Sequence, residues 1–488
     1  MGSRDDRRAA RLRALLAHVP FLAVLLAGAA LRVLTMVAYR PAFLFPDSRG
    51  YLKLADHLSP GILRPLGYSI LVRVIPHHHA LWPIVLVQHL LGLAMGAAIY
   101  AVLLRRGVRP WLAALAAVPI LLDSWQIDIE HYVLSDVLFQ VLLLSACLVL
   151  LLRERPGVPE AAVAGLLLGA AGAVRSAGLP LAAAAALAVL LASRRWRSAL
   201  AVLVAAAVPL GGYAAWYHHV NGDWTTNGAK SRFLYARVAT FADCRALDLP
   251  AYEWPLCPAE PLSQRLGVNW YMWSRHSPQN RYQPPAGRTK DAVLADFDHR
   301  VLRHQPVTYA SVVASDFLRG FGPTRTIGPK DADQRFWRFA DAYPDYNVPS
   351  VLPILAKYGA EPSVRHGPAR FLTAYGKVAY VPGPLLGACL LAAALAAAGA
   401  GRARRSELRG AAAVLAVTAA VVLLTAAAVQ FSWRYQIQQL PLLAPAGALA
   451  ATALVRGGSR NSVEGEARVT DTGRHGPRRR RARQLRAP

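Results

Sequence analysis

Four charged side chains, far apart in the sequence, are of the types needed for a transfer reaction on a phosphate-bearing substrate. Asp47 follows the first long apolar segment closely, where a carboxylate stays charged and is placed to act as a general base. Arg64, Arg175 and Arg434 border other apolar segments, and a guanidinium presents a fixed fork of donors to phosphate oxygens. The residues also fit plainer roles, Asp47 as a helix cap ahead of residues 48–58 and the arginines as snorkelling or packing side chains.

The elements that must position these residues are apolar helices. The chain has 488 residues, of which 55% are hydrophobic, and a mean hydropathy of +0.28, values too apolar for an ordinary soluble domain. Windows of about 20 apolar residues predict an all-α polytopic membrane protein with about ten transmembrane helices. They lie near 14–39, 80–104, 110–124, 133–152, 160–175, 177–193, 198–217, 377–400, 410–430 and 436–455.

Arginines at alternate junctions predict the topology. These clusters are Arg105, Arg106 and Arg109, then Arg153 and Arg155, then Arg194, Arg195 and Arg197, then Arg402, Arg404, Arg405 and Arg409. Lys and Arg are retained on the cytoplasmic side, so the pattern predicts an even number of spans with both termini in the cytoplasm and a first helix that is not cleaved. The net charge of +27 is therefore explained by a membrane face and anionic lipid rather than by nucleic acid.

This topology divides the chain into four parts. An N-terminal membrane domain (1–217) carries the first outer loop (40–79), and an extracytoplasmic, mainly helical module (218–376) precedes the C-terminal membrane helices (377–455) and a disordered basic tail (456–488). Residues 123–132 are predicted to form another outer loop. We expect an interfacial helix over 62–75, and two helices within the module over 289–304 and 306–320.

Two features of the module bear on function. Cys244 and Cys257 are predicted to pair in a disulfide if the module is exported, because oxidising compartments favour such bonds. Its tryptophans are candidates to seat an acceptor glycan or peptide, or equally to form the module's own core. They are Trp224, Trp254, Trp270 and Trp273.

Four short motifs, all at predicted outer positions, occur in the order of a known family. They are Asp47-Ser48-x-x-Tyr51, Arg64-Pro65-Leu66-Gly67-Tyr68, Glu130-His131-Tyr132-Val133-Leu134-Ser135-Asp136, and Arg434-Tyr435 followed by Pro441. In this order the chain resembles the polyprenyl-phosphate-sugar-dependent glycosyltransferases of the GT-C superfamily, which include the protein O-mannosyltransferases and the aminoarabinose transferases. The resemblance covers most of the membrane part but not residues 218–376.

The resemblance implies transfer of a sugar from a polyprenyl-phosphate carrier to a glycan, lipid or protein acceptor by a single displacement with inversion. Asp47 would be the base. The candidate donor-binding residues are Tyr51, Arg64, Tyr68, Asp136, Arg175, Arg434 and Tyr435, with Glu130 and His131 as possible accessories. Asp136 also suits helix capping or pairing with an Arg, and the two tyrosines of the first outer loop suit the aromatic belt of a membrane interface.

Composition and departures from the family pattern leave other points open. The Ala-rich and Arg-rich composition is typical of a GC-rich bacterial genome, which favours mannose or arabinose as the sugar. The topology puts the predicted site on the outer side of the plasma membrane. Leu63 stands where the aminoarabinose branch has a metal-binding Glu, so a divalent metal is possible but not assured. The histidine run 77–79 lacks the fixed geometry of a metal site. A transporter or lipid-linked-sugar flippase, or a non-catalytic scaffold, is the alternative function.

Overall fold

The protein is described by a computed structural model that covers residue 12 and residues 15–76, 80–331, 336–344, 352–358 and 361–456. Within these ranges the chain is mostly helical, and its only sheet joins two short strands, β1 (Tyr39–Arg40) and β2 (Ser363–Val364), in antiparallel order. The basic segment 1–11, the histidines 77–79 and the tail 457–488 lie outside the described residues. What the sequence predicts for them stays a prediction.

The helices of the described residues are numbered in chain order. They are α1 (Val19–Ala38), α2 (Pro46–Asp56), α3 (Gly67–Val74), α4 (Trp82–Arg105), α5 (Pro110–Leu122), α6 (Ser124–Glu130), α7 (Asp136–Leu150), α8 (Val158–Val174), α9 (Leu181–Ser193), α10 (Trp196–Asn221), α11 (Lys230–Val238), α12 (Val268–Trp273), α13 (Pro278–Arg281), α14 (Lys290–His304), α15 (Pro306–Arg319), α16 (Leu352–Lys357), α17 (His366–Val378), α18 (Gly383–Ala397), α19 (Leu408–Val429), α20 (Trp433–Gln436) and α21 (Leu440–Arg456).

Six segments of the described chain are long and apolar enough to cross a membrane, which makes this a multi-pass membrane protein. They are α1, α4, residues 176–193 with α9, α10, α19, and residues 433–456 with α20 and α21. Two helix pairs, α5 with α6 and α17 with α18, each bend by 50° and raise the number to eight if each pair is one span. Helices α7 and α8 are apolar but shorter. All ten predicted windows contain helix, whereas the number of about ten spans stays a prediction.

A break separates α5 from α6, and most of the segment 123–132 is helix rather than loop. Its position on the outer side stays a prediction. Pro119 lies inside α5 and cannot donate a backbone hydrogen bond, so the helix ends within a turn. Asp123 then caps α6 by accepting from the backbone N–H of Trp125 at 3.0 Å. The same carboxylate accepts from Arg325 of the module at 2.6 Å, which ties the bend to the module.

The segment between α1 and α4 folds onto the helices through α2 and α3. The predicted interfacial helix over 62–75 is shorter than expected and begins at Gly67. Pro65 explains the late start, since a proline disfavours helical conformation in the residue before it. Tyr68 and Val72 are buried against the protein while Val74 is 76% exposed, so one face of α3 is left for a membrane interface.

The module has a hydrophobic core of its own. Its residues lie between Tyr235 and Val301 and are separate from the large core of the membrane helices. The disulfide between Cys244 and Cys257 is formed, as expected. The two predicted helices are also confirmed, as α14 and α15, with a boundary at Pro306.

The two ends of the helix bundle differ in character. At one end of the bundle, the N-terminal residue of α7, Asp136, pairs with Arg434, and the C-terminal part of α19 contacts Tyr309 of the module. The opposite ends of α7 and α19 meet the arginine-rich turns, where Arg106, Arg153 and Arg404 line a common surface recess. The basic turns and the candidate site are therefore separated by the length of the bundle.

Close packing of α8 on α10 depends on small residues. A Cβ added to Gly165 or Gly169 of α8 would overlap the backbone carbonyl oxygen of Val202 or Ala206 of α10, respectively. This small-x-x-x-small spacing therefore serves helix packing.

We expect Gly169→Leu to lower the free energy of unfolding by about 1–3 kcal/mol, because the new side chain must push α8 away from α10. Gly211→Leu on α10 is the matched control, since nothing lies within 4 Å of a Cβ added there. Thermal unfolding of both variants in detergent measures the difference. Equal losses of stability in the two variants would contradict the packing role.

Candidate functional site

Five charged side chains from distant parts of the sequence form one line of ion pairs, which we call the ion chain. Its order is Arg64, Asp47, Arg434, Asp136 and Arg175. Arg434 joins the two halves: its Nη1 donates to Asp47 Oδ2 at 3.0 Å, while its Nε and Nη2 donate to Asp136 Oδ2 at 2.9 and 2.6 Å. Arg64 contacts Asp47 at one end, and Arg175 donates to Asp136 Oδ1 at 2.6 Å at the other.

Helix ends place these groups where backbone dipoles suit their charges. Asp47 lies in the first turn of α2 and Asp136 in the first turn of α7, where helix N-termini favour negative charge. Arg175 directly follows the last residue of α8, where a helix C-terminus favours positive charge. The alternative role of Asp47 as a helix cap is not observed, since Ser48 accepts from the free backbone N–H of Phe45.

Aromatic rings surround the arginines of the ion chain. The guanidinium carbon of Arg434 lies 5.5 Å from the ring centre of Phe45 and 5.3 Å from that of Trp337. Arg175 lies 5.0 Å from the ring of Tyr435. Ring faces attract cations and exclude water, which fixes the guanidinium planes without competing for their N–H donors.

The ion chain borders a cavity of about 960 Å³, large enough for a substrate of several rings. Its lining combines charged groups of the ion chain, an apolar strip and polar residues of the module. The lining includes Phe45, Asp47, Arg49, Tyr51, Arg64, Phe139, Val174, Arg175, Asn227, Lys230, Phe233, Asn269, Trp273, Trp337, Val422, Ala426, Val429, Arg434, Tyr435 and Gln438.

Exposure is lowest at Asp136 and Arg434 and increases toward both ends of the ion chain. The Asp136 side chain is 0% exposed and does not line the cavity, whereas the side chains of Asp47 and Arg64 are 19% and 20% exposed. Burial raises the pKa of Asp47, but the charges of Arg64 and Arg434 outweigh burial, so that this pKa lies below its ordinary value. Three arginines against two carboxylates leave the ion chain with one excess positive charge.

The two candidate tyrosines between α1 and α4, Tyr51 and Tyr68, differ in position. Tyr51 lines the cavity, and its hydroxyl lies 2.9 Å from Ser135 Oγ. Tyr68 is fully buried behind Tyr51, donates to Gln88 at 2.9 Å and does not line the cavity. Its assignment as a donor contact is therefore corrected: Tyr68 supports the position of Tyr51. Neither ring lies in an exposed aromatic belt.

Glu130 and His131, predicted as accessory residues, belong to a second buried network. Arg32 donates to both Glu130 oxygens at 2.8 Å, and its remaining N–H groups reach the carbonyl oxygens left free where α5 ends. His89 bridges Glu130 and His131, at 2.9 and 3.2 Å. All four side chains are buried and outside the cavity lining, so Glu130 and His131 stabilise helix packing at this position rather than contact a ligand in the cavity.

Several residues of the cavity were not expected from the sequence. Gln438 donates to Asp136 Oδ1 at 3.0 Å, and the polar run Gln436–Gln439 inside an apolar span was a signal for it. Trp337 comes from the module and belongs to none of the sequence motifs described above. Of the module's four candidate tryptophans, Trp273 alone lines the cavity, whereas Trp224 stacks on His218 at 4.5 Å.

The structure brings no group of three metal-binding side chains together within its described residues. Searches of family models, of curated proteins and of solved structures find no match to the chain. The site is thus defined by its own geometry: a line of ion pairs, one partly open carboxylate and a cavity that the membrane helices share with the module.

We expect Asp136→Ala to destabilise the protein by about 3–5 kcal/mol, since it removes the carboxylate that Arg434 and Arg175 share and leaves Arg434 with Asp47 as its one remaining ion-pair partner in the ion chain. Asp56→Ala is the control, because Asp56 forms an exposed pair with Lys357 and such pairs contribute about 0–1 kcal/mol. Denaturant unfolding of both variants in detergent provides the comparison. A loss below about 1 kcal/mol in Asp136→Ala would mean that the ion chain does not hold the helices together.

The lowered pKa of Asp47 predicts how stability depends on pH. A carboxyl whose folded pKa is depressed contributes stability above its unfolded pKa and loses this contribution as pH falls through the folded value. The difference in unfolding free energy between wild type and Asp47→Asn should therefore stay constant from pH 7 to 5 and narrow only below about pH 4. Unfolding measured from pH 7 to 3 tests this expectation, and narrowing that begins above pH 5 would refute it.

Proposed function

We propose that the protein is a glycosyltransferase that moves a sugar of the mannose or arabinose class from a polyprenyl-phosphate carrier to a glycan, lipid or protein acceptor. The observation that carries the proposal is the ion chain at the edge of a large cavity bounded by apolar helices. We place this cavity on the outer side of a bacterial plasma membrane and the arginine-rich turns, with both termini, in the cytoplasm.

The charge of the ion chain supports a phosphodiester as donor. Its single excess positive charge equals in size the single negative charge of a sugar linked through phosphate to a polyprenol. Arg64 and Arg175 line the cavity and keep N–H groups that their carboxylate partners do not use. These groups are suited to bind the phosphate and to stabilise the charge that grows on it as the sugar leaves.

The apolar strip of the cavity supports a lipid carrier. Val422, Ala426 and Val429 lie on one face of α19, a candidate membrane span, and Phe139 and Val174 continue this surface from α7 and α8. A polyprenyl chain placed along the strip leaves its phosphate beside the arginines. The apolar part of the donor then contacts the apolar strip of the cavity, and its charged part contacts the arginines.

Asp47 is suited to act as the base. In the proposed step an acceptor hydroxyl oxygen bonds to the anomeric carbon, the bond from that carbon to the phosphate oxygen breaks, and the hydroxyl proton passes to Asp47. Polyprenyl phosphate leaves with the electron pair, and attack from the opposite face inverts the anomeric centre. Phosphate bound beside Arg64 brings a negative charge that offsets the positive charge by which this arginine lowers the pKa of Asp47, so donor binding raises the basicity of Asp47.

Replacement of Asp47 tests the proposal. We expect Asp47→Asn to reduce sugar transfer by about 10²–10⁴-fold while donor affinity is kept or increased, because Asp47 no longer competes with the phosphate for the arginines. The assay incubates purified protein with labelled polyprenyl-phosphate mannose or arabinose and glycan, lipid and peptide acceptors, and measures donor binding in parallel. Asp56→Asn, at the end of the same helix, is the matched control.

Two results would contradict this proposal. Transfer at the wild-type rate by Asp47→Asn would remove this carboxylate from the reaction. Donor binding without transfer to any acceptor, combined with movement of the carrier between leaflets of a vesicle, would identify the protein as a flippase instead.

A further inference from the structure

The module contributes its own set of side chains to the cavity, which we call the module wall. The module wall consists of Asn227, Lys230, Phe233, Asn269 and Trp273. These residues come from α11, α12 and the loop before α11, which belong to a segment that the family resemblance does not cover. What this wall binds is therefore a question separate from the donor site.

The cavity carries more positive charge than the donor requires. Lys230 of the module wall and Arg49 of α2 both line it, both are exposed, and neither has an ion-pair or hydrogen-bond partner among the described residues. The arginines of the ion chain, in contrast, are each paired with a carboxylate. Two cations thus remain after the ion chain and a singly charged donor have balanced each other.

Neither cation stabilises the helix on which it lies. Lys230 is the first residue of α11, and Arg49 lies near the start of α2. A helix N-terminus carries partial positive charge, so a cation there is mildly unfavourable. We therefore attribute the positions of both cations to a negatively charged ligand that enters the cavity.

The uncharged part of the module wall suits a sugar ring. Trp273 is 47% exposed and packs edge-on against Phe233, with ring centres 6.2 Å apart, which fixes the indole plane. Asn269 lies one helical turn before Trp273 on the same short helix, and its half-buried amide has no hydrogen-bond partner within the described part of the chain. An aromatic face with an adjacent free amide provides stacking for a ring and hydrogen bonds for its hydroxyls.

We propose that the module wall and Arg49 bind an anionic glycan, a sugar chain that carries a phosphate or carboxylate group. This inference deepens the proposed function, because it makes that glycan the acceptor. The binding itself depends only on the cavity. The acidic group would contact Lys230 and Arg49, and a neighbouring ring would stack on Trp273.

A matched pair of probes tests the proposal: a mannotriose with one phosphate on its terminal sugar, and the same mannotriose without phosphate. Binding is measured by calorimetry with full-length protein in nanodiscs, in the presence of polyprenyl phosphate to occupy the ion chain. We expect the phosphorylated probe to bind at least about tenfold more tightly, an advantage that falls with added salt.

The variant Arg49→Gln/Lys230→Gln should lose this advantage and bind both probes within about twofold. Lys53→Gln, on the same helix as Arg49 but outside the cavity lining, should keep it. Trp273→Ala should weaken both probes, which a purely electrostatic attraction would not do. Since neither cation has a partner in the described chain, the double variant is expected to unfold like wild type.

Three outcomes would overturn the inference. The first is equal affinity of the wild type for the two probes. The second is a preference for the phosphorylated probe that the double variant retains. The third is loss of that preference in Lys53→Gln, which would indicate an effect of general surface charge. Failure of the proposed function appears separately, as an absence of polyprenyl-phosphate binding or of transfer. Selective loss of the phosphorylated probe in the double variant would still support the anionic site in that case.

Discussion

The contact on which the site depends is that of Arg434 with two carboxylates. One guanidinium uses three N–H groups to join Asp47 of α2 to Asp136 of α7, and it lies on the last candidate span of the described chain. Removing these charges from water costs several kcal/mol for each ion, so the arrangement persists only because nearly every charge has an opposite neighbour. The same contact links the first and last parts of the membrane domain and fixes the edge of the cavity.

The sequence predicted which residues form this site better than it predicted how they pair with one another. An acid just beyond an apolar segment and arginines at the same boundary are conspicuous, because hydropathy makes charged residues beside spans stand out. All five members of the ion chain were accordingly among the candidates. Their pairing order was not predictable, since it depends on side chains that lie as far as 387 residues apart. Trp337 and the bend at Asp123 were missed for the same reason, because both are defined by tertiary contacts.

Two buried charge networks of similar composition differ in what they adjoin. The ion chain reaches a cavity and keeps unused donors there, whereas Arg32 and Glu130 satisfy each other and the carbonyl groups of a broken helix. Glu130 was grouped with the candidate site because it lies in the same sequence motif as Asp136. The predicted helix positions were more reliable than such assignments, because a helix in lipid depends on a long apolar stretch rather than on one partner.

The contact between the module and the end of α19 bears on how the chain assembles. A helix leaves its last carbonyl groups without backbone partners, and at the end of α19 those of Ala427 and Ala428 accept from Arg237 and Tyr309 of the module. The module precedes α19 in the chain, so a ribosome makes the donors before the helix whose end they satisfy. The end of α19 is therefore held in part by a segment of the chain that is synthesised before it.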